Sequence, residues 1–262
     1  RDRSPSRGLG DVYKRQTLLL IGFVGFIAKT VTRMIPSKGE DDEEFNLEYI
    51  GTGMMQTAEL SLEEATKETA KFGEITSKMS GFLRELVETE KTKRQKKLLK
   101  KIRKYEEITD RIDDELATYL MKVSEGSLSD ESTRRVSNIL SISNDLERIG
   151  DIIYQMSRDL EKFFEGDIIF NSEQKEGVIS MLDVIDGAFE IMNHNLNEDY
   201  DRVTIDAAVV KENAINKQKK RLQKKHIKRI ETKIYNINSD SVYKDLFYAC
   251  EKVGDHIINV SE

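Results

Sequence analysis

The chain has 262 residues, 34% of them charged and 38% hydrophobic, with two prolines and no tryptophan. That composition suits a helical protein of one or two domains with enough apolar side chains for a real core. A net charge of -6 and a pI near 5.4 argue against a general nucleic-acid binder. Cys250 is the only cysteine, so an intrachain disulfide is excluded and a reducing compartment is expected.

Residues 1–16, "RDRSPSRGLGDVYKRQ", carry no apolar period and do not begin with methionine. They read as non-native adaptor read-through or a disordered basic tail, and in both cases stand outside the fold. In residues 17–36 the uncharged run Thr17 to Ala28 is shorter than the about 20 residues that cross a bilayer. It is nevertheless too apolar for a surface helix. It lacks the cleavage site of a signal peptide, and Lys29 and Arg33 follow it rather than precede it. The run is expected to be the inner end of a transmembrane helix whose start has been lost, with the chain beyond it in the cytoplasm.

Pro36 ends that segment, and residues 37–56 form an acidic, glycine-marked linker. Six apolar-periodic segments follow. The first stripe is Phe72, Ile75, Met79, Phe82, Leu83 and Leu86, and the second is Ile102, Tyr105, Ile108, Ile112, Leu116 and Tyr119. Val136, Leu140, Leu146, Ile149, Ile153 and Met156 make the third. After "FFEGDIIFNSE", where Asn171 or Ser172 can cap a helix, comes the fourth: Val178, Met181, Leu182, Ile185, Phe189 and Met192. A fifth helix near residues 207–233 is poor in apolar residues. The sixth, from about residue 240, uses Leu246, Phe247, Cys250, Val253 and Ile257. No alternating strand pattern of useful length appears, so the expected class is all-α.

The six helices read as two copies of three. "LERIGDII" from Leu146 matches "CEKVGDHI" from Cys250 position for position, and "EEITDRIDDEL" from Glu106 aligns with "ENAINKQKKRL" from Glu212. The offsets are nearly equal, which predicts tandem three-helix bundles over residues 57–165 and 166–262.

Each copy carries acids one helical turn apart, where like charges repel, and a glycine that costs about 1 kcal/mol relative to alanine in a helix interior. With 48 acids in the chain, such pairs alone would arise by chance roughly nine times, mostly on solvated faces. The recurrence and the glycine are the informative features. Gly150 and Gly254 permit close approach of a backbone or a ligand. Glu106 and Asp110 could then face Glu147 and Asp151 around a cation suited to hard oxygen ligands. The residues alone equally allow an acidic surface strip partnered by Arg148 and Lys252.

"NDLERIGD", its weaker echo "CEKVGDHIINVSE" and the upstream acidic turns resemble the PhoU family of phosphate-uptake regulators over roughly residues 57–262. The resemblance implies two similar bundles whose Glu/Asp-x-x-x-Asp motifs bind metal clusters. It designates Glu106, Asp110, Glu147 and Asp151 in the first repeat and Glu212, Asn216, Glu251 and Asp255 in the second. The metal would be a divalent or trivalent ion: Fe, Mn, Mg, Ca or Zn. Asn216 brings no charge, so the second site should be weaker or differently occupied. His256 is expected to cap or face solvent. "GFVGFIAKTVTRMIP" is similar to the end of the membrane domain of bacterial Na+/phosphate cotransporters, which carry a PhoU-like domain at the C-terminus. That implies a cytoplasmic regulatory domain at the bacterial inner membrane, partnered by the membrane domain of the same transporter. A free-standing PhoU-type regulator or helical adaptor is the other reading.

An enzyme is not expected. Di-iron bundles need Glu-x-x-His, none of His194, His226 or His256 has Glu three residues before it, and no P-loop occurs. The basic stretches "KTKRQKKLLKKIRK" and "KQKKRLQKKHIKR" read as solvated helix faces or as contacts to anionic inner-leaflet lipids, not as nucleic-acid sites.

Overall fold

The computed structural model describes residues 47–50, 57–166, 170–198, 202–203, 205–231 and 237–262, within the unit Asn46–Glu262. The apolar run Thr17 to Ala28 and most of the acidic linker lie outside the described residues. Among the described residues there are six helices and no strand, and no helix is long and apolar enough to cross a membrane. In chain order they are α1 (Ala58–Glu88), α2 (Thr92–Ser124), α3 (Asp130–Glu165), α4 (Ser172–Asn197), α5 (Asp206–Glu231) and α6 (Ile237–Ser261).

Local chemistry fixes several helix ends. Thr89 is extended and stops α1, while Ser129 caps α3 by accepting from the Ser132 N–H, with Asp130 and Glu131 on the positive end of the helix dipole. At α4 the Asn171 side chain accepts from the Gln174 N–H and the Gln174 side chain accepts from the Asn171 N–H, a reciprocal capping box. This is the cap expected at that position.

Helices α1, α2 and α3 pack on one another, as do α4, α5 and α6; α1 on α4 and α3 on α6 join the two groups. Connections of a few residues make neighbours antiparallel, so the start of α2 returns along the end of α1: Arg94 pairs with Glu85, and Phe82 meets Tyr105 edge-on at 4.9 Å. Across the junction Ser80 Oγ donates to Asp186, and Arg84 bonds both Asp186 and Asp183. His256 Nδ1 lies 2.7 Å from Asp145 Oδ1, to which Asn259 also donates. His256 therefore ties α6 to α3 instead of capping or facing solvent.

The apolar stripes line the core as read, with Phe82, Tyr105 and Tyr119 half-buried at its edge and one displacement. Leu140 is exposed, and Ile139 with Ser143 takes the buried side of α3. Spacings of three and four both continue a helical stripe, and here the seam from Val136 follows the three. The flanking helix α5 buries Ala208, Ile215 and Leu222 at seven-residue intervals, a narrow seam that explains its polar composition. Upstream of the first predicted stripe, Leu62 and Ala65 pack with Leu116, Leu120 and Val123. Buried Glu68 accepts from the backbone N–H groups of Glu48 at 2.9 Å and Tyr49 at 2.8 Å, tying the linker's end to α1.

Candidate metal centre

The close crossing of α2 and α3 positions the first acidic cluster. A Cβ at Gly150 would lie 2.8 Å from Thr109 Oγ1 and 3.3 Å from its Cβ and Cγ2, so the space above the glycine is filled by Thr109. Gly150 thus serves helix approach rather than direct ligand access. Because Thr109 neighbours Asp110 and Gly150 neighbours Asp151, that approach brings acids of the two helices together. One oxygen from each of Glu106, Asp110 and Asp151 lies within 4.8 Å of the others. Glu147 stands one turn before Asp151, its side chain 21% exposed.

The electrostatics register an excess of negative charge. Burial, then Asp110 and Asp151, push the Glu106 carboxyl up; burial, then Asp151, do the same to Asp110. Glu147 is pushed up to about 7, first by burial and then by Asp151. Arg148 reaches in from a half-exposed position, 3.4 Å from Asp151 Oδ2 and 3.6 Å from Glu147 Oε2. Its charge does not offset the cluster. Asp113 is held by the Ser143 hydroxyl, which donates to it at 2.6 Å. Glu106, Asp110 and Glu147, all pushed toward their protonated forms, fit a hard multivalent cation, which would replace those protons.

Glu147 gives a pH prediction for metal-free protein. Its folded-state value of about 7 exceeds the ordinary 4.5, so the folded chain binds more protons across that window and loses stability as pH rises through it. Allowing for solvent screening, the loss is about 2 kcal/mol. Melting curves in chelator should show this slope in wild type and a flatter one in Glu147→Gln.

In the second repeat the crossing recurs: a Cβ at Gly254 would meet Ile215 Cδ1 at 2.8 Å, and Ile215 is the counterpart of Thr109. The acids meet different company. Asn216 donates to Glu212 Oε1 at 3.4 Å, and Lys219 Nζ sits 2.5 Å from Glu251 Oε1. Burial, then Glu251 and Glu212, push Asp255 up, while Lys219 and His256 hold it down. Among the described residues only Glu106, Asp110 and Asp151 form a set with converging ligand atoms. Sequence reasoning missed Asp113 and Lys219, although the alignment of "EEITDRIDDEL" with "ENAINKQKKRL" already sets one opposite the other.

These bundles define an all-helical, PhoU-like fold, and residues 69–160 match the PhoU domain family. The phosphate transport system regulatory protein PhoU from Streptococcus pneumoniae superposes with a TM-score of 0.65, covering 78% of this chain and 93% of that one at 15% identity. The chain is also 25% identical over 143 residues to YjbB of Escherichia coli O157:H7 and 22% identical to YjbB of Salmonella typhimurium, proteins named for inorganic phosphate export. Each match covers 55% of this chain but only 25% of the relative, so the chain matches about a quarter of those proteins' length.

Proposed function

We propose that the chain is the cytoplasmic regulatory domain of a membrane protein that moves inorganic phosphate, and that it holds a multivalent cation between α2 and α3. One observation supports this reading most: the PhoU match, residues 69–160, contains Glu106, Asp110 and Asp151, whose carboxylate oxygens converge, with Glu147 one turn before Asp151. The names of the YjbB relatives support phosphate as the transported ion. The apolar run Thr17 to Ala28, with Lys29 and Arg33 behind it, supports attachment at the bacterial inner membrane through the same protein's membrane domain. Sodium coupling follows from the resemblance of "GFVGFIAKTVTRMIP" to cotransporter termini. The exposed lysines of α2 and α5 offer a secondary contact to anionic lipid.

The domain's role is regulatory rather than catalytic. Glu106, Asp110 and Asp151, with Glu147 beside them, would hold the ion; the ion would supply positive charge that joins two otherwise repelling helix faces. The bundle's stability then depends on occupancy by mass action.

Radiolabelled phosphate flux in cells carrying the intact gene tests this reading. Wild type should change its flux with external phosphate, with a sodium-dependent component, while Glu106→Gln/Asp110→Asn/Asp151→Asn should transport without that adjustment. Identical regulation in both alleles would contradict the regulatory assignment, and flux indifferent to sodium would remove the coupling.

A further inference from the structure

The two acidic clusters share a backbone and differ in charge. Glu212, Asn216 and Lys219 occupy the places of Glu106, Asp110 and Asp113, and the matching contacts of Gly150 with Thr109 and Gly254 with Ile215 show that both helix crossings are kept. One carboxylate has become an amide and another an ammonium. Lys219 is turned inward: it and its partner Glu251 are 17% and 22% exposed, and its Nζ also lies 4.7 Å from the centre of the Tyr248 ring. The ring face favours a cation, and Gln223 donates to the Tyr248 hydroxyl at 3.0 Å, which steadies it. In the first repeat Arg148, which pairs with Asp151, is half exposed and approaches from outside.

We infer that Lys219 is the resident cation of the second cluster and closes it to metal, which leaves the first cluster as the place for any multivalent ion the chain takes. A tethered ammonium needs no capture from solution, and this one already occupies Glu251 Oε1, an oxygen a metal would use. An incoming ion would have to displace it or bind beside a like charge. The inference rests on the metal reading above for the first cluster only, and it overrides the expectation that the second differs merely because Asn216 lacks charge.

The test is calorimetric titration of the full, chelator-stripped chain with Mn2+. Wild type should show one class of site, removed by E106Q/D110N/D151N. Lys219→Met should add a second site, abolished when E251Q/D255N is introduced alongside it. That variant should melt lower than wild type in chelator and recover with Mn2+; Lys219→Gln, closer in polarity, should open the cluster in the same way. A wild type that binds none beside a Lys219 variant that binds one would keep the inference and overturn the first-cluster reading. Equal stoichiometry in wild type and both Lys219 variants would overturn the inference whatever the first cluster does. So would two sites in wild type, one of them lost in E251Q/D255N.

Discussion

Saturating metal-stripped protein with Mn2+ at about a thousand times its dissociation constant should stabilise it by about 4 kcal/mol, since the ion binds the folded state alone. For a chain of this size that raises the melting temperature by roughly 10 °C. Asp110→Asn/Asp151→Asn should abolish the shift. The same variant should reverse the ranking in chelator, where neutral amides remove the repulsion that adds to burial in pushing Glu106 and Glu147 up. Stripped variant should then melt at or above stripped wild type, and loaded variant well below loaded wild type. A purely structural acidic strip would give no such crossing. A variant that lost stability equally with and without Mn2+ would point to packing, not ligation.

Gly150→Leu should destabilise the protein by roughly 1–3 kcal/mol through overpacking. Helix propensity alone predicts the opposite sign, a gain of about 1 kcal/mol. Contact decides between them. The added Cβ would fall 2.8 Å from Thr109 Oγ1, and Thr109 is fully buried with that hydroxyl donating to the Glu106 carbonyl at 2.7 Å. A short β-branched side chain cannot swing clear, so the helices must part. Parting them also separates Asp110 from Asp151, so the mutant should bind Mn2+ more weakly. Gly81 is the control, because nothing lies within 4 Å of a Cβ there; Gly81→Ala should stabilise by up to about 1 kcal/mol. Chemical denaturation of Gly150→Leu, Gly81→Ala and Thr109→Ala/Gly150→Leu measures this, the last recovering part of the loss. A Gly150→Leu protein more stable than wild type would show that close approach is not the glycine's purpose.

Much of this architecture was legible in the sequence because it repeats. The near-constant offset between the two copies gave the helix groups, and the glycine beside each acid turn gave the crossing point. The face of α3 was harder: Ile139 and Leu140 both continue the stripe from Val136, and only packing against α1 and α2 chooses Ile139. His256 escaped because its partner, Asp145, lies in the other repeat, and a pairing so distant in sequence leaves no local period. At the acidic clusters, motif matching named Glu106, Asp110 and Asp151, whose oxygens converge, and the missing charge at Asn216. It did not find Lys219, because a motif of acids records where ligands can be and is blind to a cation three residues further along the same face.

The most direct measurement is the metal content of the chain purified without chelator, compared with Glu106→Gln/Asp110→Asn/Asp151→Asn prepared identically. Binding between α2 and α3 predicts a multivalent metal retained by wild type near one ion per chain and reduced to background in the variant. Equal metal content in the two, whether high or absent, would contradict it.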